Sequence, residues 1–69
     1  MSRTADIVAC AQRVEALRKL KGSFAEGREP DMSEVFPEDA EAIRLAATSA
    51  AESKADDLFR EAKTKLESY

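Results

Sequence analysis

Apolar side chains recur at helical spacing in two stretches of the chain. At 100° per residue, Ile7, Cys10, Val14, Leu17 and Phe24 fall within one arc, with Ala11 and Leu20 on its edges. A second stripe reads Ala40, Ile43, Ala47, Ala50, Ala51, Ala55, Leu58, Ala62, Leu66 and Tyr69, widened to one side by Leu45 and Phe59. Gly22, Gly27, Pro30 and Pro37 fall between the main runs, and no other glycine or proline occurs. The pattern predicts an all-α fold, a single antiparallel helical-hairpin domain over residues 1–69. It comprises a helix over about 4–26, a short helical turn over about 31–36 and a long helix over about 37–68.

The ends of these elements carry their own signals. Ser2 or Thr4 caps the first helix, with Asp6 in its favourable first turn. Gly22 and Gly27 compete as its stop; Phe24 keeps the phase of the stripe and favours Gly27. Asp31-Met-Ser-Glu34 has capping-box spacing and opens the short turn. Pro37 suits the first position of the second helix, followed by Glu38, Asp39 and Glu41 at the positive end of the dipole. No breaker follows as far as Ser68, so that helix runs for roughly 31 residues, or about 47 Å. Asp56–Arg60 and Glu61–Lys65 place opposite charges at i,i+4. Ala40, Ala51 and Ala62 stand eleven residues apart, as do Ala47, Leu58 and Tyr69. That period keeps a face nearly straight, and its small residues admit a close neighbour.

A lone hairpin buries a single seam. Ordering a chain of this length costs on the order of 100 kcal/mol, which a seam rich in alanine does not offset. A homodimer forming a four-helix bundle is the simplest remedy, with Ile43, Ala47, Ala51, Ala55, Leu58, Phe59, Ala62 and Leu66 at its interface. The competing solution is a monomeric three-element fold in which the connector folds back as a lid. In outline, the dimer is similar to plasmid regulators that bind RNA through a bundle face. That likeness covers architecture alone and assigns no residue.

Composition narrows the chemistry. With no histidine and one cysteine in 69 residues, a Ser–His or Cys–His pair and a structural cysteine–histidine zinc site are excluded. No enzyme, cofactor or metal site is expected. No run approaches the roughly 18 apolar residues of a membrane span, and the first ten residues lack the apolar stretch of a secretory signal. Together with the lone Cys10, this predicts a cytoplasmic protein that does not engage a membrane.

The formal charge of −3 is unevenly spread. Residues 1–25 carry five cations against two carboxylates, a net +3. Residues 26–41 carry seven carboxylates against Arg28, a net −6, and the remainder cancels. The acidic connector encloses an apolar cluster. Glu29, Asp31, Met32, Glu34, Val35, Phe36, Glu38 and Asp39 are therefore the candidate contact surface for a protein partner, one with a basic face. The expected function is a small non-catalytic protein-binding regulator or inhibitor, of the kind phages and mobile elements encode. Its rivals are a dimeric nucleic-acid-binding regulator using Arg13, Arg18, Lys19 and Lys21, and a helical subunit of a larger assembly. In the bland alternative, Val35 and Phe36 plug the bundle end and the acids cap a helix or solvate a loop.

Overall fold

A computed structural model describes residues 3–69; Met1 and the candidate cap Ser2 lie outside the described residues. Those residues form α1 (Arg3–Ala25), α2 (Pro37–Leu45), a single 3₁₀ turn (Thr48–Ala50) and α3 (Ala51–Glu67), with no strand among them. Thr4 lies inside α1 rather than before it.

The stop of α1 follows from one glycine. Gly27 has φ +72°, a left-handed conformation that favours glycine. The Arg28 N–H donates to the Ser23 carbonyl at 3.0 Å and the Gly27 N–H to Phe24 at 3.1 Å. This is the Schellman pair of bonds that satisfies the last carbonyls of a helix. Gly22, the competing stop, lies within α1.

The chain then makes two reversals. α1 and α3 are antiparallel: Arg3 donates to the Tyr69 carbonyl, the Cys10 thiol to the Ala62 carbonyl, and Lys21 pairs with Asp56. α2 also runs back along α3, because Glu38 and Asp39 near its start share a cleft with Glu61, Lys65 and Tyr69 at the end of α3. The connector over 26–36 must therefore return along α1. It does so as a strap, with Glu34 beside Lys19 and Phe36 lining a cleft with Ala9 and Arg13.

The long helix expected over 37–68 is thus replaced by a helical hairpin. Ala46 and Ala47 are extended, with ψ near 150° (148° and 150°), between α2 and the 3₁₀ turn. Had the helix continued straight, Ala40 and Ile43 would have lain about 18 Å or more along the axis from Ala55, Leu58 and Ala62, on the same face but out of contact. Folded back, these five residues join Leu17, Leu20 and Val35 in one core. Burial of Ala40 and Ile43 compensates the helical bonds given up at the break, and tertiary packing overrides alanine's helix preference. The expected helical turn over 31–36 is also corrected. It is a hydrogen-bonded turn in which the Val35 N–H donates to the Met32 carbonyl at 3.2 Å. Asp31 accepts from the Ser33 N–H at 2.9 Å, as in an Asx turn, while Glu34 reaches Lys19 instead of closing a capping box.

The apolar face of α1 is rotated from its predicted centre. Cys10, Ala16, Leu17 and Leu20 are buried, whereas Ile7, Val14 and Phe24 are half-buried and Ala11 is exposed. A second covering layer explains the shift: the strap lies over the Ala16–Leu20 side, where Val35 enters the core.

Candidate protein-binding surface

The strap is ordered from both ends. Gly27 turns it out of α1, Val35 anchors it in the core, and Pro37 at the first position of α2 ends it. Phe36 occupies the N-cap position without a side-chain cap bond, and Glu38 and Asp39 follow in the first turn. Glu29, Asp31, Glu34 and Glu38 are exposed, and Met32 and Phe36 are half-buried beside them. Six of the eight residues expected to contact a partner therefore reach the surface.

The other two have interior roles. Val35 is a core residue, and Asp39 is only 4% exposed. Asp39 forms a two-pronged bond with Arg13, at 2.8 Å to Nε and 2.9 Å to a terminal nitrogen. Parallel N–H···O bonds of this kind fix geometry as well as charge. The hydrogen-bonded Asp39 carboxylate raises the Arg13 guanidinium above its ordinary pKa. The periodicity placed Asp39 in the first turn of a helix; it carried no sign that Arg13, on a different helix, would face it.

Other ion pairs tune the local charge. Lys19 meets Glu34 at 3.4 Å, and Arg28 meets Glu26 at 2.5 Å. Ser33 lowers the Asp31 pKa through its side chain and backbone N–H, favouring the carboxylate. Glu29, Glu38 and Glu41 take part in none of the ion pairs among the described residues. The four cations considered for nucleic-acid contact are all engaged by carboxylates. Arg13 holds Asp39, Arg18 holds Glu15, Lys19 holds Glu34, and Lys21 holds Asp56 with its Nζ 4.2 Å from the centre of the Phe59 ring.

The residues assigned to a dimer interface divide three ways. Ile43, Ala55, Leu58 and Ala62 are buried within the single chain; Ala51, Phe59 and Leu66 are half-buried; Ala47 is exposed. Cys10 is buried with its thiol 3.4 Å from the Ala62 carbonyl oxygen, consistent with a small packing residue at the α1–α3 seam.

Two clefts border the strap. One of about 260 Å³ is lined by Ala16, Lys19, Leu20 and Arg28 together with Glu29, Asp31 and Glu34. The other, of about 350 Å³, places Phe36 and Glu38 beside Arg13, Lys65 and Tyr69. No group of three or more metal-ligating side chains occurs among the described residues, and none of their helices is long and apolar enough to cross a membrane. Comparisons with protein-family models, curated proteins and solved structures found no match for this chain.

Proposed function

We propose that this chain is a small non-catalytic regulator or inhibitor that occupies the basic surface of a partner protein through its acidic strap. The observation supporting this reading is that Glu29, Asp31 and Glu34 are exposed on a segment already held in place by Val35 and the Asp31–Ser33 turn. A contact surface ordered before binding loses less entropy on association. Its concentrated negative charge accelerates encounter with a positive face, while Met32 and Phe36 supply apolar contact beside it.

The test replaces Glu29, Glu34 and Glu38 with lysine and leaves Asp31 and Asp39 to maintain the fold. Affinity capture at low salt is expected to retain a specific basic partner on the wild type and lose it on the triple variant. Helicity should remain, because the replaced side chains are exposed. Equal capture by both proteins would remove the reading.

Homodimerisation belongs to the same proposal. The chain exposes 4901 Å², against roughly 4300 Å² expected for a compact monomer of its 7.6 kDa mass. Leu45 at 80% and Val8 at 49% exposure contribute to this excess.

A further inference from the structure

We infer that the segment joining α2 to α3 is a hinge through which two copies exchange α3, each copy's α2 and α3 fusing into one continuous helix. This rests on the homodimer part of the proposal above and is independent of what the strap binds. Between Pro37 and Ser68 the sequence contains neither glycine nor proline, yet the chain breaks at Ala46 and Ala47, which have the strongest intrinsic helix preference. Thr48 and Ser49, which follow in the 3₁₀ turn, are only mildly poorer helix formers, so the break is maintained chiefly by the packing of Ala40 and Ile43 with Ala55, Leu58 and Ala62 in one core.

Those contacts do not require α2 and α3 to belong to the same chain. In an exchanged pair, α3 of one copy occupies the place it now has against α1 and α2, but on the second copy. The core and the Lys21–Asp56 pair are recovered between chains. Arg13–Asp39 remains within each α1–α2 half, and additional helical hydrogen bonds form across the former break. Reciprocal use of existing contacts makes such exchange a direct route to a dimer. Leu45 provides a second argument. It is the last residue of α2 and is 80% exposed at the hinge. Exchange brings two hinge segments together and gives this side chain an apolar neighbour.

Proline at position 47 separates the two states. Ala47 has φ −58° and follows Ala46 at ψ 148°, which are proline and pre-proline values, and its N–H is absent from the hydrogen bonds found there. Ala47→Pro therefore fits the folded-back chain but breaks a continuous helix. Analytical ultracentrifugation over a range of concentrations should show a wild-type monomer–dimer equilibrium. Ala47→Pro should reduce the dimerisation constant on the order of 10⁴-fold, because two helices each receive an interior proline, while retaining helicity and cooperative unfolding. Ala47→Gly, which leaves the backbone unrestricted, should weaken association about 20-fold, since both helices receive the glycine.

A wild type that stays monomeric to millimolar concentration would overturn both the exchange and the homodimer reading. Wild-type dimers that persist unchanged in both variants would overturn the exchange alone. If Ala47→Pro does not fold, the glycine variant decides: undiminished association contradicts the hinge.

Discussion

Asp39 shows how a surface assignment becomes a structural one. Its carboxylate is removed from water and held by two guanidinium N–H groups, so its negative charge is committed to α1. Asp39→Ala should destabilise the fold by about 1–3 kcal/mol, below the range for a fully buried pair because Arg13 reaches solvent. Urea denaturation checks this, and a variant as stable as wild type would show the pair to be incidental. Three other carboxyls set the response to acid. Arg18 lowers the Glu15 pKa, Ser33 lowers that of Asp31, and Lys21 lowers that of Asp56. A depressed folded pKa contributes stability above the unfolded value and loses it as pH falls through the folded one. The melting temperature should therefore decline as pH drops from about 5 toward 2, with a shallower decline for Asp56→Asn. Superimposable pH profiles for that variant and wild type would refute the Asp56 contribution. The outward orientation of Glu29, Asp31 and Glu34 could not be read from periodicity, since the strap follows no repeat.

At the scale of elements, the two glycines make opposite predictions. Gly27 has a positive φ, so Gly27→Ala should cost about 1 kcal/mol. Gly22 lies within α1, and an added Cβ there meets nothing within 4 Å. Gly22→Ala should accordingly stabilise the protein by about 0.5–1 kcal/mol. Thermal melts of the two variants should move in opposite directions; a shared direction would contradict the assigned end of α1. That end was legible because the phase of Phe24 and the position of Gly27 agreed. The Asp56–Arg60 pair was legible for the same local reason, and its partners lie 2.6 Å apart. The break before α3 was not, because alanine rows fit a straight helix and a folded-back one equally well. One signal did exist: Ser49-Ala-Ala-Glu52 has the spacing of a helix start. No side-chain cap bond forms at that start, so the signal is compositional rather than energetic.

Across the whole molecule, the shortage of core is met by folding back. A straight second helix would have reached about 47 Å, whereas the longest Cα extent is 38 Å. Leu17 and Leu20 are the largest fully buried side chains, and much of the remaining core is alanine. Leu17→Ala should therefore cost about 2–5 kcal/mol, a large share of the stability available to so small a fold. The same geometry returns the acidic strap along α1 and gives its carboxylates a fixed surface. Measuring the separation between α2 and the end of α3 tests that arrangement most directly. Spin labels at positions 38 and 65, in a Cys10→Ala background and at high dilution, would report it by pulsed electron resonance. Glu38 and Lys65 line one cleft of about 350 Å³, so the folded-back chain predicts a separation below about 20 Å. A single peak near 40 Å, the length of 27 residues of continuous helix, would contradict it.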